Sequence, residues 1–151
     1  MSVTWHLKPH RELSKNELYA ALALRTQVFV VEQNCPYLEV DGRDLEGDTC
    51  HLLGWQGDEL VAYLRLLDPA LNDGDVVIGR VVTAARARGT GLGHGLLEQA
   101  LQACSGRWPG ACVYMSAQAH LQGYYGRYGF VAVTDEYLED DIAHIGMRLE
   151  L

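Results

Sequence analysis

The chain has 151 residues, 48% of them hydrophobic and 21% charged, which fits one globular domain over residues 1–151 with a core that needs no cross-links. Its formal net charge of −8 argues against nucleic-acid binding, which draws on clustered Lys and Arg. Acidity suits a cationic amine partner, and it suits plain solubility equally well.

Along the chain, residues 3–7 read as a short strand. Ser14-Lys15-Asn16-Glu17 is a capping box, in which the serine hydroxyl and the glutamate carboxylate each satisfy a free backbone N–H, so a helix is predicted to start there. Leu18, Ala21, Leu22, Val28 and Phe29 fall on one face of it, and Pro36 ends any continuation. Residues 34–48 read as a long loop carrying Glu39, Asp41, Asp44, Glu46 and Asp48. A solvated acidic connection and a functional loop are both open for it. Strands are predicted at 51–56 and 59–67, around a Gly57-Asp58 hairpin turn, and again at 76–83. Leu92, Leu96, Leu97, Ala100, Leu101 and Cys104 recur at helical spacing. A strand at 111–117, a short helix within 119–128, and strands at 130–137 and 145–151 complete the order β-α-β-β-β-α-β-α-β-β. That order predicts an α/β domain on a mixed sheet.

The apolar runs fall far short of the ~20 residues that a membrane helix requires, and residues 1–10 lack the basic start and apolar run of a signal peptide. Cys35, Cys50, Cys104 and Cys112 form no CxxC pair, so no zinc or other metal site is expected. Free thiols in a reducing cytoplasm are the expectation, each cysteine serving as a small hydrophobe.

The segment 76–97, VVIGRVVTAARARGTGLGHGLL, carries the chemistry. A strand ends, a loop with Arg86, Arg88, Gly89, Gly91 and Gly93 follows, and an amphipathic helix begins. Glycines let the backbone turn tightly and approach a ligand. The N–H groups of a helix start then point at an anion that the dipole favours, with arginine charge beside them. A diphosphate suits such a loop, although a purely structural glycine loop is an equal reading of the residues alone. The Walker pattern GxxxxGK(S/T) is absent, and GxGxxG fails because His94 and Leu96 stand where glycine is needed.

Arg88-Gly89-Thr90-Gly91-Leu92-Gly93 resembles the (R/Q)xxGx(G/A) signature of GNAT acetyltransferases, with the strand before it and the helix after it in the family's order. The resemblance implies the GNAT acyl-CoA N-acyltransferase fold, a central mixed β-sheet flanked by helices, with acetyl-CoA as co-substrate and no metal. It assigns the pyrophosphate of acetyl-CoA to Arg88, Gly89, Thr90, Gly91, Leu92, Gly93 and the following His94, and the pantetheine arm to main-chain groups of Val81, Val82 and Thr83. Tyr124-Tyr125-Gly126-Arg127-Tyr128-Gly129-Phe130 resembles the family's FYxxxGF segment. By that match Tyr125 is the general acid for the departing thiolate, a role open to a phenol of pKa ~10. Tyr124 and Tyr128 are aromatic packing.

LRTQVFVVEQNCPYLEVDGRDLEGD, HLLGW, VIGRVV, AQAHLQ and HIGM are similar to the ElaA branch of GNAT proteins across nearly the whole chain. The implied activity is direct acetyl transfer to a primary amine of a small molecule or peptide. A catalytically silent acyl-CoA-binding module is the alternative, and nucleotide binding a remote third. GNAT relatives are often dimeric, so the resemblance points to a homodimer as one state of the chain. Many relatives carry a glutamate base on the central strands, where this chain has Arg80 and Val113-Tyr114-Met115. Glu32, His51, His120 and His144 remain candidates. Glu32 and His120 are taken as acceptor-side residues, and Gln118, after the 111–117 strand, as a group near the meeting point of CoA and acceptor.

Overall fold

In the structure, a computed structural model that describes residues 2–151, eight strands share one sheet. They are β1 (Thr4–Pro9), β2 (Cys50–Gln56), β3 (Glu59–Leu67), β4 (Asp75–Thr83), β5 (Cys112–Gln118), β6 (Val131–Ala132), β7 (Tyr137–Glu139) and β8 (Ile142–Glu150). The α-helices are α1 (Lys15–Arg25), α2 (Leu92–Arg107) and α3 (Gln122–Gly126). The strand order is β1-β2-β3-β4-β5-β8-β6, with β7 also on β8. β4 and β5 run parallel, and the other neighbours are antiparallel. This is the mixed sheet that the strand and helix order predicts.

The sheet is covered on both faces, so β3 reads as an unbroken apolar run and is buried from Leu60 to Leu67. Its side chains alternate between two clusters. Ala62, Leu64 and Leu66 pack with Leu96, Leu97, Ala100 and Cys104 of α2, whereas Tyr63 packs with Ala21 of α1 and with Val28. The helix α1 starts where the capping box puts it. Ser14 Oγ accepts from the Glu17 N–H at 3.0 Å, and Glu17 Oε1 accepts from the Ser14 N–H at 2.8 Å. Beyond Arg25 the chain continues as a π-helix over Thr26–Glu32. The wider turn rotates the later residues against the 3.6-residue face.

One expectation needs correction, and one reading left open by the sequence narrows. The single strand expected at 130–137 is two short pieces on one edge of β8, because Val133 N–H bonds to the Gly146 carbonyl while the Gly146 N–H bonds to Thr134 Oγ1, each at 2.8 Å. The threonine hydroxyl replaces a ladder acceptor and lets residues 134–136 bulge out. Gly146 is itself dictated by crowding, since a Cβ there would lie 2.5 Å from the Tyr114 hydroxyl and 2.7 Å from Thr134 Cγ2.

The acidic segment 34–48 is likewise no simple solvated connection, because Glu39 and Asp44 are buried. Arg25, 0% exposed, donates to Glu39 Oε1 at 2.7 Å and to Asp44 Oδ1 at 2.6 Å. Arg65 holds Asp41 with two bonds of 2.9 Å and Asp44 with one of 3.0 Å. Arg80 pairs with Glu39 and reaches Asp41 Oδ2 at 3.2 Å. Burial pushes the Asp41 carboxyl up, but bonds from Arg65 and the Arg43 N–H outweigh it and hold it at about 2. The loop is thereby fastened across α1, β3 and β4.

His51, fully buried beside this network, donates from Nε2 to the Asp44 carbonyl at 2.9 Å and accepts at Nδ1 from the Tyr63 hydroxyl at 2.6 Å. Burial, helped by Arg25 and Arg65, outweighs that carbonyl bond and holds the imidazole below its ordinary value. The unfolded chain therefore takes a proton near pH ~6.5 that the folded chain refuses. His51 costs no stability above that pH and an increasing amount below it. Thermal melts from pH 7.5 to 5.5 are expected to fall in wild type and to flatten in His51→Gln. The carboxylates of the network act only at lower pH, so parallel slopes would refute this assignment.

Candidate active site

The site forms where β4 and β5 part. They pair through Asp75↔Cys112, Val76↔Val113, Val77↔Tyr114 and Ile78↔Met115, and the ladder ends there. At the same point Arg80 adopts φ +53°, and the β3–β4 register shifts between Tyr63↔Val82 and Arg65↔Gly79. A bulky residue in the left-handed region is rare and needs surrounding structure to hold it. Here the ion pairs of Arg80 with Glu39 and Asp41, and its guanidinium 5.7 Å from the Tyr37 ring centre, supply that hold. The bulge turns β4 away from β5.

A cavity of about 520 Å³ fills the gap, with Phe29, Tyr37, Arg80, Gln118, Tyr125 and His144 in its wall. A second cavity of about 260 Å³ lies against Val81, Val82, Thr83, Gly93, Leu97 and Tyr124. Tyr125, Val81 and Leu121 border both. The two cavities therefore adjoin, one lying between Gly93 near the start of α2 and Val81–Thr83 of β4, the other in the gap.

Gly91 caps α2 with φ +78° and no side chain bonds to the helix start. Gly89 has φ +81°. A Cβ at either position would meet nothing, so backbone conformation and not crowding calls for glycine. The open N–H groups of a 16-residue helix then face solvent, as an anion site requires. Thr90 Oγ1 donates to the Ala87 carbonyl at 2.7 Å and steadies the loop. Leu92 is buried and anchors the loop to the core. These residues fit the diphosphate of a CoA thioester.

The remaining residues singled out from the sequence are spread around these cavities. Arg88 pairs with Glu32 and donates to the Thr83 carbonyl at 3.0 Å. The bond from Arg88 holds the Glu32 carboxyl below its ordinary value. Glu32 thus stands beside the glycine loop and outside the large cavity's wall. His94 Nδ1 bonds to the Tyr128 hydroxyl, and its ring centre lies 5.2 Å from that of Tyr124, an aromatic cluster over the first turn of α2. Arg86 turns to Glu59 and to Gln56, the latter at 3.1 Å. His120 is exposed in the turn before α3, and Gln118 lies on the wall of the large cavity.

Tyr125 stands at the junction. Its ring lies edge-on to Tyr124 at 5.1 Å and to Phe130 at 6.1 Å. Burial pushes its phenol above the ordinary value, so it carries its proton at neutral pH. Tyr37, Phe29 and Glu139 also line the cavity. Sequence reasoning reads Phe29 only as part of an apolar helical face and does not single out Tyr37 or Glu139. Tyr37 is carried by the acidic loop, and only the Glu139-Asp140-Asp141 run hints at the last of them.

The parted strands and their cavity have the fold of the acyl-CoA N-acyltransferases. A protein of that class from Pseudomonas aeruginosa is 65% identical and superposes with a TM-score of 0.97, covering 98% of this chain and 99% of its own. Residues 13–151 match the family model described as an acetyltransferase (GNAT) domain, and the chain belongs to that family, in its ElaA-like branch. ElaA of Escherichia coli K12 is 50% identical over 99% of this chain and 97% of its own length, and the crystal structure of Escherichia coli ElaA superposes with a TM-score of 0.93 over 98% of this chain and 99% of its own.

Proposed function

We propose that this protein transfers an acetyl group from acetyl-CoA directly to a primary amine of a small molecule or peptide. The observation that carries the reading is the pair of adjoining cavities that run from Gly93, just past the uncapped glycine loop at the start of α2, along Val81, Val82 and Thr83 to Tyr125. A diphosphate at the loop, an extended arm along β4 and a thioester at the junction fit that sequence of groups. Family membership and the acyl-CoA N-acyltransferase relative support an acyl-CoA donor, the class to which acetyl-CoA belongs. From Gly79 onward β4 has no ladder partner in β5, which leaves main-chain N–H groups free to polarise the thioester carbonyl. The amine nitrogen attacks that carbon, the C–S bond breaks, and the Tyr125 hydroxyl gives its proton to the leaving thiolate. Holding the two substrates in one gap supplies a large part of the rate. The setting is a reducing cytoplasm, consistent with four cysteines that form no disulfide.

The test is calorimetric titration with acetyl-CoA, using ATP and NAD as controls, followed by free-thiol release across a panel of amines. Binding of acetyl-CoA alone and amine-dependent thiol release are expected. Binding without release from any amine would favour the silent module, and a folded protein that ignores acetyl-CoA would overturn the reading.

A further inference from the structure

The acceptor amine arrives as a cation and must lose a proton before it can attack, and the central strands carry no carboxylate for that work. The cavity wall carries two exposed carboxylates, Glu139 and Asp140, and one buried imidazole, His144. His144, 8% exposed, sits in β8 directly opposite Gln118 of β5, so the two side chains share a face at the mouth of the gap. Its Nδ1 lies 2.7 Å from the Ile142 carbonyl. A carbonyl can only accept, so Nδ1 carries the hydrogen and Nε2 keeps the lone pair. Glu139 Oε2 lies 3.4 Å from Nε2, so the imidazolium formed by proton uptake meets a counter-charge. The Tyr137 ring stacks on the imidazole at 6.3 Å and 25°. Ser116 bonds to the Tyr137 hydroxyl and lies 3.5 Å from Glu139 Oε1, which fixes the carboxylate from behind.

We propose that His144 Nε2 is the proton acceptor for the substrate amine, with Glu139 as the residue that positions it and balances its charge. The inference rests on the acyltransferase reading above and adds the group that reading lacks. The ammonium gives one proton to Nε2, and His144 later releases it to solvent. The neutral nitrogen then forms the C–N bond. As the C–S bond breaks, the Tyr125 hydroxyl protonates the thiolate, the nitrogen loses its second proton to solvent, and solvent returns a proton to the Tyr125 oxygen. The other charged or titratable groups around the cavity are Cys35 and Tyr37 from the 34–48 loop, Arg80 from β4, Tyr125 from α3 and Asp140 beyond β7. Arg80 is committed to Glu39 and Asp41, and Tyr125 is assigned the opposite proton transfer. Cys35, Tyr37 and Asp140 share the wall, and His144 differs from them in combining burial, a tautomer fixed by the Ile142 carbonyl and a carboxylate beside Nε2.

The experiment compares wild type, His144→Gln and Glu139→Gln with the alkyl amine that wild type uses best, from pH 7 to 9. Glutamine at 144 keeps a polar group of similar reach, and Glu139 is an exposed carboxylate whose replacement leaves the core intact. At pH 7 His144→Gln is expected to lose about 10²–10⁴-fold in kcat/KM for the amine, the usual range for a general base. Acetyl-CoA affinity should be unchanged. The deficit should then shrink by about tenfold per pH unit, because solvent supplies more neutral amine as pH rises toward an alkylamine pKa of ~10.4. Glu139→Gln should show a smaller deficit of the same form. A deficit that stays constant with pH would mark a structural role and overturn the proposal, as would equal rates at pH 7. Wild type that binds acetyl-CoA yet transfers to no amine would overturn the transferase reading and this role with it.

Discussion

Arg25→Met is expected to destabilise the fold by about 3–5 kcal/mol, the usual cost of removing one partner from a buried ion pair. The guanidinium is 0% exposed and joins Glu39 and Asp44, which are 4% and 5% exposed. Burial opposes its charge, but the bonds to Asp44 and Glu39, with the contribution of Tyr63 beside it, raise its proton affinity further. Methionine would fill much of the volume and leave buried carboxylates with too little positive charge around them. The damage should not stop at stability. Glu39 also pairs with Arg80, and Arg80 holds the bulge that separates β4 from β5. The large cavity should therefore loosen, and on the proposed function KM for the amine should rise more than that for acetyl-CoA, whose proposed loop precedes α2. Urea denaturation at pH 7 gives the stability change, with Arg11→Ala as control, because the exposed Arg11–Asp48 pair at 3.3 Å should count for about 0–1 kcal/mol. A cost for Arg25→Met no larger than the control's would refute the assignment of this network as the anchor of the loop.

The parts of the site that are legible in the sequence are those whose causes are local. The capping box at Ser14 and Glu17 closes within one turn, and the glycines at 89 and 91 announce their left-handed backbone by composition. The spacing of Leu92, Leu96, Ala100 and Cys104 matches the buried face of α2 because 3.6-residue periodicity needs only the helix itself. The acidic loop was ambiguous because its partners Arg25, Arg65 and Arg80 lie on three separate elements. No window of sequence shows whether five carboxylates in one loop face water or arginine. The gap between β4 and β5 is hidden for a related reason, since Val76–Thr83 has strand composition throughout and its departure from β5 depends on the Arg80 bulge. The pair Glu139 and His144 is brought together by the turn between β7 and β8, where Asp140 and Asp141 both take positive φ. Two consecutive aspartates can occupy such a turn, but they mark it far less clearly than Asn-Gly would.

Tyr125→Phe is expected to keep the fold and the affinity for acetyl-CoA and to lose about 10²–10⁴-fold in the transfer step, the range for removing a general acid. The ring's work is packing: its edge-on contacts with Tyr124 and Phe130 and its place at the junction of the two cavities are available to phenylalanine. What disappears is one hydroxyl. Burial raises that phenol above its ordinary value, so wild type has the acid in its protonated form throughout the neutral range. A thiolate leaving into the same partly buried junction is poorly solvated, which increases the benefit of a donor at that point. The loss should appear in kcat, with KM for acetyl-CoA little changed, because the hydroxyl acts on charge that develops as the C–S bond breaks. An activated thioester whose thiol is more acidic needs less help in leaving, so it should recover a large part of the lost rate in Tyr125→Phe. The same donor should give no recovery in His144→Gln, where the missing step is on the amine. Equal behaviour of the two variants toward that donor would sink the division of labour between an acid at Tyr125 and a base at His144, and unchanged kcat in Tyr125→Phe would remove Tyr125 from the chemistry altogether.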